Sequence, residues 1–114
     1  MYRPFLAVAG LLGATGVATA AAASHGSDTN LAIVANFLLF HAATLIGLSL
    51  VPSPRWVITA GYVLLFGLAL FCGDLAIRSA TGNAFFPMAA PIGGGSLILG
   101  WLLVAATALF TRRT

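Results

Sequence analysis

Phe71-Cys72-Gly73-Asp74-Leu75-Ala76-Ile77-Arg78 is the stretch on which the fold turns. A carboxylate stands inside a long apolar run, and an arginine follows four residues later, the spacing at which two side chains share one face of a helix. An ionisable group at membrane depth is costly, so it normally faces protein or water and has a partner. The rest of the chain has to keep such a pair tolerable.

Composition says what solvent surrounds it. Of 114 residues, five are basic and two acidic, and 61% are hydrophobic, with a mean hydropathy of +1.07. A soluble domain carries charge on about a quarter of its residues, and one of this size has too little interior to hide so much apolar surface. The bilayer is therefore the expected partner. The formal charge of +3 comes from Arg3, Arg55, Arg78, Arg112 and Arg113 set against two acids. The arginines are scattered, which excludes the concentrated basic face that nucleic acid requires. Cys72 is the single cysteine, so no internal disulfide and no CxxC pair exists. No nucleotide or cofactor motif is present, and no cofactor is expected.

Four apolar runs follow one another: Phe5 to Ala23, Leu31 to Val51, Trp56 to Ile77 and Ile92 to Phe110. Each is near the ~20 residues that a helix needs to cross the hydrocarbon. The breakers lie between them, in residues 24–30, in Pro52-Ser53-Pro54-Arg55 and in residues 78–91. In lipid only helices and closed barrels satisfy the backbone, and unalternating runs exclude barrel strands. The expectation is an all-α, integral membrane four-helix bundle, a single domain over residues 1–114. Arg3, Arg55, Arg112 and Arg113 fall on one side of four crossings, so the positive-inside rule predicts that both termini are cytoplasmic. The connections bearing His25, Asp28 and Arg78 then face outward. Residues 1–24 also resemble a secretory signal ending in small residues; the second run would still begin outside.

The first run has Gly10, Ala14, Ala18 and Ala22 at four-residue spacing, with Gly13 and Gly16 widening the small surface. Small residues let helices approach closely in lipid, so Gly10, Gly13, Ala14 and Ala18 are expected to pack against other helices and to make this helix the most enclosed. A glycine-rich pore lining is the alternative. The second run carries Asn36 and, near its middle, His41, followed by Thr44. His41 fits either a neutral interhelical hydrogen-bonding residue or a proton carrier, whose charge modest burial would set. Arg55 and Trp56 form an interfacial anchor. Asp74 and Arg78 fit either a helix-end ion pair or a polar site facing the bundle interior. Pro91 suits the first turn of the fourth helix, and Gly93, Gly94 and Gly95 either pack against the first helix or leave approachable backbone donors at a helix amino terminus. Asp74 and these glycines belong to the same end of the bundle, so they are expected at similar depth.

The order Gly10-x-x-Gly13, Ser24-His25-Gly26, Phe40-His41-Ala42, Leu70-Phe71-Cys72-Gly73, Ala90-Pro91-Ile92-Gly93-Gly94 and Gly100-Trp101 resembles domain-of-unknown-function family 423. That family includes small bacterial inner-membrane proteins and the eukaryotic transmembrane protein 256. The resemblance covers nearly the whole chain and implies a four-helix protein of the bacterial inner membrane, with no established activity. The family often reads serine-glycine-serine where this chain has Cys72-Gly73-Asp74, so an acid at position 74 is not general to it.

Three functions compete. The leading one is a non-enzymatic accessory or assembly partner of a membrane complex, because the chain is small, lacks a soluble domain and has no cofactor motif. The second is a small transporter or channel for protons or a small solute, built as a homo-oligomer around a polar cluster of His25, His41, Asp74 and Arg78. The third, an enzyme or metal site, is the weakest. Helix rise alone separates His25 and His41 by ~10–15 Å of depth, too far for one ion held at ~2 Å by each ligand. An outer-half cluster of His25, Asp74 and Arg78 beside the glycine-rich start of the fourth helix is the site expected.

Overall fold

A computed structural model of the chain describes residues 1–52 and 54–110. It consists of helices α1 (Arg3–Ser24), α2 (Thr29–Leu50), α3 (Arg55–Thr81) and α4 (Ala89–Phe110), with no strand among the described residues. All four are long and apolar enough to cross a membrane. Arg112 and Arg113, two of the four arginines behind the orientation argument, lie outside the described residues.

The ends of the helices follow from local chemistry. Pro4 sits in the first turn of α1, where its missing donor matters least. Asp28 caps α2, its Oδ1 accepting the amides of Asn30 at 3.0 Å and Leu31 at 3.3 Å. Pro52 and Pro54 separate α2 from α3. The third helix continues through Arg78 and stops where Gly82 takes φ +79°, its amide donating to the Arg78 carbonyl at 2.8 Å. Only glycine adopts that left-handed geometry cheaply, so a glycine ends this helix and the arginine does not. Pro91 is the third residue of α4, still within the turn that has no intrahelical amide partner.

Packing proceeds in chain order: α1 lies along α2, α2 meets α3, and α3 lies along α4. Neighbours are antiparallel, since Gly13 faces Ala42 while Gly16 faces Leu38 and Leu39. Likewise Phe37 meets Phe71 with tilted rings 4.7 Å apart, while Asp28 at the start of α2 meets Ser79 near the end of α3. The closest seam is between α3 and α4. A Cβ on Gly67 would come within 2.7 Å of the Leu97 amide nitrogen, and one on Gly93 within 2.6 Å of the Phe71 amide nitrogen. Two further contacts bind the start of α1 to α3. Phe5 is fully buried, and its ring fills the space over Gly61 of α3. Tyr2 and Tyr62 share a hydrogen bond of 2.8 Å between their hydroxyls.

The enclosure expected of α1 is corrected here. α3 is the most enclosed helix, and α1 and α4 are the least. Gly10, Ala14 and Ala18 are exposed, while Gly13 is half-buried against Ala42. The helix turns a different edge, Phe5, Ala9 and Gly16, toward its neighbours. A four-residue ladder of small side chains has no chemical preference between a lipid face and a helix face, and the large Phe5 anchor decided the rotation. Nor does the Gly93 stretch lie on α1: Gly93 packs on α3, and Gly95 has open space where a Cβ would stand.

Candidate functional site

Asp74 is fully buried on α3. Its Oδ2 accepts from Arg78 Nε at 2.7 Å, and its Oδ1 accepts the amide of Phe85 at 2.8 Å. The i,i+4 pair expected on α3 is therefore formed, and a second donor completes it from the connection between α3 and α4. The Arg78 side chain is 39% exposed, as suits a long side chain with its charge toward the headgroups. Asp74 thus straps residues 82–88 to the helix that precedes them. It takes its backbone donor from Phe85, four residues before α4, and not from Gly93, Gly94 or Gly95.

Asp28 forms a second strap at the same end of the bundle. Beyond its two cap bonds, its Oδ2 accepts a hydrogen bond from the Ser79 hydroxyl, tying the start of α2 to the end of α3. The Ser79 bond and the two cap amides hold its carboxyl below the usual carboxylate range. A depressed carboxylate stabilises the fold above its unfolded value, and that contribution disappears as pH falls through the lower folded value. Thermal melts in detergent are therefore expected to lose stability below about pH 3.8, and Asp28→Asn should flatten part of that acid limb. An unchanged limb in the variant would remove Asp28 from the account.

His41 lies apart from both carboxylates. The registers set by Phe37 with Phe71 and Asp28 with Ser79 put it opposite Gly67, ~10 Å along the axis from Asp74 at the rise of a helix. Its ring is buried. Nδ1 lies 2.8 Å from the Phe37 carbonyl, an acceptor only, so Nδ1 carries the proton. Nε2 is then bare and accepts from Trp101 Nε1 at 3.3 Å. This is the neutral imidazole with both nitrogens occupied, bridging α2 and α4. A lipid-facing cleft of about 320 Å³ lies beside it, lined by Phe37, Phe40, His41, Thr44 and Trp101.

Of the four residues expected to converge, the structure brings Asp74 and Arg78 together. His25 closes α1 through its backbone amide, is exposed, and its ring makes no hydrogen bond or ion pair among the described residues. No group of three metal-ligating side chains occurs among the described residues. Sequence reasoning missed Ser79, Phe85 and Trp101 as partners. Asp28 followed by the start of a helical run was a usable cap signal. The other three contacts are long-range, and nothing local announces them.

A family model described as "Protein of unknown function (DUF423)" matches residues 8–94. The chain belongs to the DUF423 family. Its relatives include the UPF0382 membrane protein SERP0230 of Staphylococcus epidermidis, 30% identical, covering 95% of this chain and 98% of its own. The UPF0382 membrane protein SSP2132 of Staphylococcus saprophyticus is 26% identical over 90% of this chain and 93% of its own. The UPF0382 membrane protein YwdK of Bacillus subtilis is 34% identical over 46% of this chain and 43% of its own. No solved structure matches. As a DUF423 protein with four membrane-length helices, the chain is a small membrane protein of a family without an assigned function.

Proposed function

We propose that this DUF423 protein is a non-catalytic, multi-pass protein of the bacterial inner membrane, with both termini cytoplasmic, acting as an accessory or assembly partner of a membrane complex. One observation carries the reading: the buried Asp74 and His41 and the half-buried Asp28 are spent on the fold itself. Asp74 uses both oxygens on Arg78 and Phe85, Asp28 uses both on the α2 cap and Ser79, and His41 uses both nitrogens on Phe37 and Trp101. A general acid, a ligand or a proton carrier needs a free position, and each of these would have to break a helix-to-helix or helix-to-loop bond to supply one. That the relatives are membrane proteins supports a membrane location.

Affinity purification of tagged protein in mild detergent is the test. A second protein in fixed ratio is expected; recovery of this chain alone would sink the reading. Proton or solute flux in proteoliposomes that disappears in both His41→Ala and Asp74→Asn would instead establish the transporter. Reporter fusions at the carboxyl terminus should be active in their cytoplasmic form.

A further inference from the structure

The lipid-facing side of α2 contains one polar group that the fold leaves unanswered. Asn36 is exposed, and its side-chain amide has no hydrogen bond among the described residues. It is the eighth residue of a 22-residue helix, ~10 Å from the nearer end at the rise of a helix, which is well inside the hydrocarbon. The hydroxyls at comparable depth behave differently. Thr15, Thr19, Thr44 and Thr59 each donate to the carbonyl four residues earlier, so those side chains need nothing from outside. An amide has two donors and an acceptor, and lipid tails answer none of them.

Asn36 also has a pattern around it. Ala32, Asn36, Leu39, Ala43, Ile46 and Leu50 recur at alternating spacings of four and three, and every one of them is exposed, Leu39 at the edge where it also touches Gly16 of α1. That is the seam along which two helices supercoil left-handedly, and a single asparagine in such a seam sets its register. Between Asn36 and Leu50 the large exposed side chains of Leu39, Phe40 and Ile46 flank Ala43 on the seam and, beside it, Gly47, which has open space where a Cβ would stand.

We propose that two copies of this chain pair through α2, with the Asn36 amides hydrogen-bonded to each other across a twofold axis along the membrane normal. The partner is a second copy because of depth and chemistry. Copies inserted under one charge bias share one orientation, so a twofold axis brings together only residues at equal depth. The group that Asn36 meets is then Asn36 of the other copy, and an amide is its own complement, donor to acceptor in both directions. Such bonds are an established adhesive between membrane helices. The pairing does not depend on the accessory role proposed above, since a chain that binds no other protein would still dimerise.

Energy transfer between donor- and acceptor-labelled copies in phosphatidylcholine vesicles, read across protein-to-lipid ratios, tests it. The native chain should associate, Asn36→Leu should weaken association by about tenfold, and Asn36→Gln should retain it. Leu102→Ala, on the exposed side of α4, should change nothing. Oxidation should cross-link Ala43→Cys in a Cys72→Ser background and should not cross-link Ala105→Cys, which is exposed on α4. The cross-link reads the same interface with Asn36 intact, should Asn36→Leu fold poorly by circular dichroism. A monomer at every ratio, an association that a folded Asn36→Leu leaves intact, or cross-linking through α4 in place of α2 would each overturn the pairing.

Discussion

Gly93→Ala is expected to destabilise the protein by about 3 kcal/mol, at the upper end of what overpacking a close seam costs. The added carbon would stand 2.6 Å from the Phe71 amide nitrogen and 3.0 Å from the Gly67 carbonyl oxygen. Both are backbone atoms of α3, so no side chain can swing away, and one helix has to move off the other. Gly67 presents the reciprocal problem, within 2.7 Å of the Leu97 amide nitrogen, so Gly67→Ala should behave alike. The control is two positions along. Gly95 has no neighbour within 4 Å, and Gly95→Ala should leave stability unchanged or raise it by ~0.5–1 kcal/mol through helix propensity. Unfolding in a denaturing detergent series would order the three variants. Equal behaviour at positions 93 and 95 would mean that α3 and α4 do not meet along this seam.

Asp74→Leu is expected to have the second large effect, a fall of roughly 10 °C or more in melting temperature. Removing the carboxylate leaves the Phe85 amide without an acceptor and the partly exposed Arg78 without its counter-charge. The double variant Asp74→Leu/Arg78→Leu should accordingly recover part of the loss. The remainder measures the strap to Phe85, because the double variant restores no acceptor for that amide. Limited proteolysis should separate the two contributions, with cleavage in residues 82–88 accelerated in both variants. A double variant no better than the single one would show that Arg78 left without the carboxylate costs nothing measurable.

Much of the architecture was legible because the forces that set it are local and strong. Four apolar runs of membrane length separated by prolines, glycines and polar residues leave the backbone no alternative to four helices, and Asp74 with Arg78 could be paired by helical spacing alone. The rotation of each helix was not legible. Gly10, Ala14 and Ala18 suggested a packing face, yet in lipid both faces of a helix are apolar, so the amphipathic signal that orients helices in soluble proteins is missing. The bond between His41 and Trp101 depends on the register between α2 and α4, which is set through α3 by contacts such as Phe37 with Phe71 and Gly67 with Leu97. The Phe85 amide is invisible for a simpler reason, since every residue but proline has one. The candidate site was therefore readable to the extent that its parts were neighbours along one helix.

The length of α3 has a consequence for where the protein can live. Its 27 residues extend ~40 Å at the rise of a helix, against ~33 Å for the 22 residues of each of the other three. Measured against α4, where Gly67 packs on Leu97 and Gly93 on Phe71, the surplus falls at the end that carries Arg78 and Ser79. In a thin bilayer that end stands in water and the guanidinium is freely hydrated. In a thick one the same charge is drawn toward the acyl chains, and the molecule has to tilt or gather the leaflet around it, at fractions of a kcal/mol for each ångström of mismatch. Membrane thickness is thereby coupled to the stability of a single ion pair.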